Sequence, residues 1–465
     1  MKFLQGVKQM LQNIFGKNVI SQLNEIKCIT TAPMQAAIQT WINLYFMREA
    51  TDKLDPCQRL PYAIVSKLSK TVFSEYEADF ATNKKTEKIE WQRKNLKALN
   101  SIKKQAMQWA LVGGECLIKP IVNGGALEFG IVRRDQYTVL ANDAAGNITK
   151  VCMAESCSEK AKYFTLIETR TLNTNGLLTV ENALYCSTSQ STIGTKVSLS
   201  ALGRYANLPQ SYTYKNPLGG LGVICMRLPI VNCIDGSHDG VSIFEPAVGL
   251  IYNAYRNEKL LNNEFEKGQS RIIASSDVIA TDERGEKSIP DGLIAAIDDN
   301  ADKVGVTVYS PVLRNESYEQ RKQSYLRSCE SLIGLKRGIL SDVEAAERTA
   351  TEITSSAGDY SLSIQDLQNI WYDTLKSALS LCNELGKAYR ICDESAFDIE
   401  LLTCKWGNGV LYDARLDWQD MLQMVGAGIL KPELALAWKY DLPCETNENL
   451  ADIRKKYMPE LEVLL

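Results

Sequence analysis

Two carboxylates flank the only histidine of the 465-residue chain in the stretch Asp235-Gly-Ser-His238-Asp239-Gly. That spacing suits a divalent metal site or an acid–base pair for hydrolysis, and a metal-dependent hydrolase built on Asp235, His238 and Asp239 is one reading of the sequence. The competing reading is structural. The stretch is a glycine-rich loop running into a helix, where Asp and Ser are favoured because their oxygens accept hydrogen bonds from unpaired amides. Its place in the chain favours the structural role. A single histidine excludes the helical zinc-protease motif, which needs two, and leaves any Ser/His/Asp triad only His238 to use. A second acidic group, Asp298, Asp299 and Asp302, has the charge for a cation but reads better as a solvated turn. No catalytic residue, cofactor or bound metal is expected, and the chain is not expected to be an enzyme.

Phosphate-binding loops are also missing. Neither Gly16-Lys17 nor Gly386-Lys387 has the glycine five residues earlier that a P-loop requires, and Gly219-Gly220-Leu-Gly222 lacks a third glycine at dinucleotide spacing. Positive charge is concentrated twice. Lys84, Lys85, Lys88, Arg93, Lys94, Lys97, Lys103 and Lys104 are offset only by Glu87 and Glu90, and read as a solvated helix face able to touch phosphates nonspecifically. Arg321, Lys322, Arg327, Lys336 and Arg337 form a second group, after which the sign flips at Asp342, Glu344 and Glu347. Over the whole chain 52 basic residues meet 56 acidic ones, a formal net charge of −4. A dedicated duplex-coating protein is usually strongly basic, so that class is disfavoured.

The 13 cysteines are odd in number and include no Cys-x-x-Cys, the closest pair being Cys152 and Cys157. Zinc knuckles and thioredoxin-like redox sites need tighter spacing. Cys225, Cys329 and Cys382 lie in apolar contexts, which predicts reduced thiols packed in a core. No run approaches the ~20 apolar residues of a membrane span, so neither a membrane segment nor a membrane partner is expected.

The elements that must position these residues read as follows. Phe3, Leu4, Val7, Met10, Leu11, Ile14 and Phe15 fall on one face of an N-terminal amphipathic helix over Met1 to Lys17. Residues 32–120 are mostly helical and stop at Gly113-Gly114, which feed a strand. From about 115 to 235 the pattern is antiparallel β, with Asn175-Gly176 the sharpest hairpin cue. A long helix starts between Ser242 and Pro246: Ser242 with Glu245 fits a capping box, and Pro246 fits a first helical turn. Phe244, Ala247, Val248, Ile251, Tyr255, Leu261 and Phe265 form its apolar stripe. Short strands follow at Arg271–Ala274 and Val304–Tyr309, separated by an acidic, turn-rich middle. A return helix spans about Ser317 to Ile333, with Tyr318, Tyr325, Cys329 and Leu332 on one side. The two long helices flank a module with little core of its own, so they are expected to meet counterparts in neighbouring subunits rather than each other. Gly358-Asp359 is expected to break the chain before a helix from about Ser361 to Tyr389. A strand at Phe397–Leu402 and three short helices near 413–425, 432–439 and 447–464 complete the reading.

In its succession of segments the chain resembles the portal proteins of tailed double-stranded DNA bacteriophages, in the branch typical of phages of Gram-positive hosts. The resemblance rests on Thr349-Ala-Thr-Glu-Ile353 followed by a Ser/Asp/Tyr-rich break and Gln365-Asp-Leu-Gln. It rests also on the order helix, small β module, return helix over 243–335, and on Gly407-Asn-Gly-Val-Leu-Tyr-Asp413, Met424-Val-Gly-Ala-Gly428 and Leu442-Pro-Cys-Glu-Thr. It implies an α+β portal fold divided into an N-terminal arm (1–29), a wing (30–240 and 359–412), stem helices (241–267 and 316–335), a small α/β clip (268–315), a tunnel-loop region (336–358) and a helical crown (413–465). It further implies a ring, usually of twelve subunits, assembled in the host cytoplasm at one capsid vertex of the virion among major capsid and scaffolding proteins. Double-stranded DNA would pass nonspecifically through the central channel during packaging and ejection. The terminase large subunit and later a head-completion adaptor would dock on the clip. On this resemblance Arg321, Lys322, Arg327, Lys336, Arg337, Asp342, Glu344 and Glu347 are the candidate channel-facing residues. Their mixed signs suit a channel that passes DNA without gripping it. Asp282, Glu283, Arg284, Asp298, Asp299 and Asp302 are the candidate clip docking surface. The alternative within the same setting is another virion component, such as a connector or baseplate piece, a class that usually lacks the long helix pair.

Overall fold

The computed structural model describes residues 27–48, 59–82, 84–123, 125–268, 271–275, 293–296, 306–309, 312–342, 350–392, 397–406, 414–440, 442–444 and 446–458. The N-terminal amphipathic helix expected over 1–17 lies outside them. The chain divides into two compact units, 1–407 and 408–465.

In the larger unit, α1 (Ala32–Phe46) begins where the Thr31 hydroxyl accepts from the Met34 amide and Pro33 occupies the first turn, and it buries Met34, Ile38, Trp41 and Ile42. After α2 (Leu60–Val72) and the four-residue β1 (Glu77–Phe80) comes α3 (Glu87–Gly113), 27 residues capped by Thr86, with Glu87 and Glu90 against the positive end of its dipole. It stops at Gly113-Gly114 as expected, and β2 (Glu115–Asn123) follows at once. Gly114 sits at φ 80°, and a Cβ there would lie 2.2 Å from the Gly240 carbonyl carbon; a Cβ at Gly240 would lie 2.6 Å from the Gly114 oxygen. Two backbones meet here with no room for a side chain on either.

The β region is antiparallel throughout. It comprises β3 (Ala126–Val132), β4 (Tyr137–Asn142), β5 (Ile148–Glu159), β6 (Lys162–Leu172), β7 (Leu178–Ser187), β8 (Thr195–Val197), β9 (Ser211–Thr213) and β10 (Ile224–Arg227). One sheet has the order β10-β2-β3; the other runs β4-β5-β6-β7-β8, with β9 also paired to β7. The Asn175-Gly176 hairpin forms between β6 and β7, the Asn173 carboxamide accepting from the Asn175 and Leu177 amides at 3.1 and 2.8 Å. Strand alternation turns Ile224 and Met226 inward and leaves Cys225 exposed, so this thiol does not take the core position its sequence context predicts. Cys329 and Cys382 are buried, and all twelve cysteines among the described residues are free thiols.

The long helix α4 (Val248–Lys267) is entered through a 3₁₀ turn, Glu245–Ala247, that holds Pro246. No capping box forms: the Ser242 hydroxyl donates to the Leu111 carbonyl at 3.0 Å, and the Glu245 carboxylate accepts from the Trp41 indole. Three short strands follow, β11 (Arg271–Ser275), β12 (Leu293–Ala296) and β13 (Val306–Tyr309), in the order β12-β11-β13, with β12 parallel and β13 antiparallel to β11. The sequence reading misses β12, four small and apolar residues between acidic stretches. The chain returns along α5 (Asn315–Ile333), which packs on α4 within the same chain. Arg314 holds Glu264 through two nitrogens at 2.7 and 3.0 Å, Lys322 reaches Glu258 at 3.5 Å, and the Asn257 amide donates to the Tyr318 carbonyl. The expectation that these helices lack partners in their own chain is thus corrected; polar pairs join them where an apolar seam is absent. The buried side of α5 is Leu326, Cys329, Glu330 and Ile333, whereas Leu332 faces solvent.

The helix α6 (Ala350–Tyr389) runs unbroken for 40 residues, so the break expected at Gly358-Asp359 is absent and the division drawn there falls inside one helix. A helix-interior glycine costs only about 1 kcal/mol relative to alanine, less than the burial of Tyr360, Ile364, Leu367, Trp371 and Leu375 returns. The strand expected at 397–402 is displaced. Asp398 accepts from the Glu400 amide and starts a 3₁₀ turn, Ile399–Leu401, so that β14 (Leu402–Lys405) pairs antiparallel with β1. One main apolar core joins α1, α2, α3, β2, α4, α5 and α6. At its centre Trp371 donates to the Tyr76 hydroxyl at 3.2 Å, and its ring meets Phe73 edge-on.

The smaller unit holds α7 (Ala414–Gly426), α8 (Pro432–Tyr440) and α9 (Asn447–Tyr457), the three helices the sequence predicts, although α9 ends seven residues early. Thr446 caps α9, Arg454 lies 3.5 Å from Glu433, and the Tyr440 and Tyr457 rings stack. No described helix is long and apolar enough to cross a membrane.

Candidate functional site

The Asp235–Asp239 loop is tied into the scaffold. Asp235 accepts from the Thr31 hydroxyl at 2.5 Å and the Ser237 amide at 2.9 Å, which locks the loop onto the start of α1. Burial would raise the Asp235 carboxyl, but these donors outweigh it and hold the group below its ordinary value. Asp239 points inward and pairs with the buried Arg134 at 3.0 Å. His238 is exposed and lies over the turn between β4 and β5: a Cβ on Gly146, at φ 82°, would come within 2.6 Å of its ring. The three residues of the hydrolase reading therefore point three ways. No group of three or more metal-ligating side chains occurs among the described residues.

Behind the loop lies a charge network that sequence reasoning missed. Glu115, fully buried at the first position of β2, lies 3.2 Å from Arg134 and 2.7 Å from Arg227, and the Tyr137 hydroxyl donates to it at 2.8 Å. Burial alone would raise the Glu115 carboxyl, but Arg134 and Arg227 hold it below 4.5. Asp239, by contrast, is raised by its burial. The signal available was a lone glutamate in an apolar run, Leu-Val-Gly-Gly-Glu115-Cys-Leu-Ile, since a buried charge is retained only when paired. The network joins β2, β4, β10 and the loop leading into α4.

The candidate channel residues do not form one group. Lys322 is bound between the two long helices by Glu258 and by Glu319, at 3.5 and 3.2 Å. Arg321 donates to the Tyr325 hydroxyl at 2.8 Å, one turn along the exposed face of α5. Arg327 and Arg337 come together at one depression, with Ser324, Ser328 and Ser331 as its other lining residues. Lys336 is half-buried in the turn after α5 and does not line it. Asp342 is held by Gln323 in a reciprocal pair: the Asp342 amide donates to Oε1 at 2.8 Å, and Nε2 donates back to its carboxylate at 2.9 Å. Glu344 and Glu347 lie outside the described residues, as do all six candidate docking residues, Asp282, Glu283, Arg284, Asp298, Asp299 and Asp302.

Glu330 fixes the turn between these residues. Its carboxylate is almost fully buried and accepts from the amides of Gly338, Leu340 and Ser341, at 3.1, 2.5 and 2.9 Å, and from the Ser341 hydroxyl at 2.7 Å. The basic run of α3 is not a uniformly solvated face. Lys88 is buried against Cys392 and Trp91, Arg93 pairs with Asp79 at 3.3 Å, and the Lys103 ammonium lies 4.3 Å from the centre of the Tyr76 ring.

No protein-family model and no curated protein sequence matches the chain. Among solved structures, a chain from the neck of a native GTA particle computed with C12 symmetry matches at a TM-score of 0.47 and 10% identity, covering 90% of this chain and 96% of that one.

Proposed function

We propose that the chain is a portal protein of a tailed phage or prophage head: a ring-forming conduit for double-stranded DNA at a capsid vertex, without a reaction of its own. The observation that supports this most strongly is the uninterrupted order of α4, a three-stranded β11–β13 sheet, α5 packed back on α4, and the 40-residue α6. A helix pair joined at its far end by a small sheet is economical for a docking module and has no evident use in a hydrolase. On this reading the antiparallel body would belong to the wing and the helical unit at 408–465 would be the crown. Terminase large subunit, head-completion adaptor, capsid and scaffolding proteins are the partners this reading implies, and the virion is its location. Twelve chains of 51.8 kDa make an assembly of about 622 kDa. A native mass near that value, with a central hole in negative-stain images, is the expected outcome; a stable dimer or tetramer overturns the reading.

A further inference from the structure

The fold sorts the basic residues of α3 by side. Lys88, Arg93 and Lys103 turn to Cys392, Asp79 and the Tyr76 ring. Lys94, Lys97 and Lys104 are exposed and, with Ser101, recur at helical spacing on the side opposite the buried Leu99, Ala106, Met107 and Ala110. Among the described residues no side-chain hydrogen bond or ion pair engages any of these three lysines. The stripe has a clear limit, because Glu87 and Glu90 lie exposed on the same side within two turns of Lys94. Its charge is felt beside it: burial, and then the neighbouring Lys104, hold the Lys103 ammonium below its ordinary value. From Lys94 to Lys104 the helix rises about 15 Å, a length over which duplex DNA carries roughly nine negative charges. The kind of partner follows from what the stripe lacks and holds. None of the large exposed apolar side chains among the described residues lies on α3, whereas a protein partner is usually met through an apolar centre with charge at its rim. Between and beside the lysines stand Ser101 and Gln105, both exposed, whose hydroxyl and amide can donate to phosphate oxygens.

We propose that this side of α3 is a docking surface for the phosphate backbone of duplex DNA, met without regard to base sequence. Lys94, Lys97 and Lys104 each neutralise one phosphate, and Ser101 and Gln105 bond the non-bridging oxygens. The preference for a nucleic-acid backbone over a protein rests on the stripe alone; that the nucleic acid is duplex DNA rests on the conduit reading.

The test is the salt dependence of binding of a labelled 20-base-pair duplex to the full-length protein. Loss of three phosphate contacts lowers the slope of log K against log salt by about 2.7, and affinity at about 50 mM salt by more than tenfold. The triple variant Lys94→Gln/Lys97→Gln/Lys104→Gln is expected to show both changes. The charge-matched control Lys162→Gln/Lys196→Gln/Lys215→Gln, on exposed residues of the β region, is expected to show neither. Arginine at 94, 97 and 104 keeps the charge and is expected to keep the slope, which separates loss of charge from loss of fold. The single variant Lys97→Gln is expected to lower the slope by about 0.9, which reads the surface even if the triple variant misfolds. A wild type that does not bind the duplex at about 50 mM salt, or equal slopes for the two triple glutamine variants, overturns the proposal. A labelled polyglutamate peptide is titrated in parallel: peptide binding lost in the stripe variant while the duplex slope is unchanged would make an acidic protein segment the ligand and overturn the DNA assignment. Native mass is measured on the same samples. Rings without the slope effect sink the surface and leave the conduit; the slope effect on a stable dimer or tetramer does the reverse.

Discussion

The Glu115 carboxylate lies against two guanidiniums with no access to water, so removing its charge leaves Arg134 buried beside Asp239 alone. Breaking a buried pair from one side typically costs about 3–5 kcal/mol, and Glu115→Gln is expected to lower stability by roughly 3 kcal/mol in denaturant unfolding; an unchanged transition midpoint would disprove the network's role. The pH dependence follows from the direction of the shift. Glu115 is held below its ordinary 4.5, so its contribution is present above that pH and is lost as pH falls through the lower folded value. Wild-type stability should therefore decline in acid more steeply than that of Glu115→Gln. Asp239 is shifted upward by burial and acts in the opposite sense, its ionisation costing the fold as pH rises above 3.8. His238, exposed over Gly146, has no comparable role. His238→Ala should change stability by less than about 0.5 kcal/mol and, on the portal reading, leave assembly and DNA retention intact, whereas loss of a measurable activity would revive the hydrolase reading. Gly146→Ala, at φ 82° and 2.6 Å from the imidazole, should be destabilising by itself and less so in the His238→Ala background, a difference a double-mutant cycle reads directly.

At the scale of elements, two local conformations contradict what their residues prefer. Lys160 and Ala161 join β5 to β6 at φ 49° and 59°, the left-handed conformation that a two-residue hairpin demands and that Asn-Gly adopts with least strain. Substituting Asn-Gly at 160–161 should raise stability by about 0.5–1 kcal/mol, and a fall in melting temperature would show that the turn is shaped by something else. The second case is Gly358, inside α6. If the helix is continuous in solution, Gly358→Ala should stabilise it by up to about 1 kcal/mol; destabilisation would place a break there after all. Both positions show why local cues mislead. The register of β5 on β6 is set by ten paired residues, and the continuity of α6 by a buried face from Tyr360 to Leu385, so long-range pairing and burial override the preference of one or two residues.

At the scale of the whole chain the two units differ in how much core they own. The larger has a continuous apolar core drawing on seven of its principal elements, while the described residues of the 408–465 unit bury only Ala435, Ala437 and Ile453 among apolar side chains. A unit of that length with so little buried apolar surface is marginal by itself. The isolated 408–465 fragment is expected to melt without a sharp transition when followed by circular dichroism, and a cooperative transition would contradict that.

The sequence by itself determined the order and type of most elements, because apolar period and capping residues act within a few positions of one another. Gly113-Gly114 ended α3 and Asn175-Gly176 made the hairpin where local chemistry said they would, and the three C-terminal helices were legible from their stripes. It also determined that no motif of a nucleotide-binding loop or zinc protease is present. The tertiary structure alone decided which charges are engaged. Glu115, Arg134 and Arg227 are separated by up to 112 residues and meet only because β2 lies between β10 and β3, while Lys322 is drawn to Glu258 because α5 packs on α4 along one side. Sequence spacing sets where a side chain leaves its own element; what it meets depends on which other element is laid against that side, and that is fixed by burial summed over the whole core.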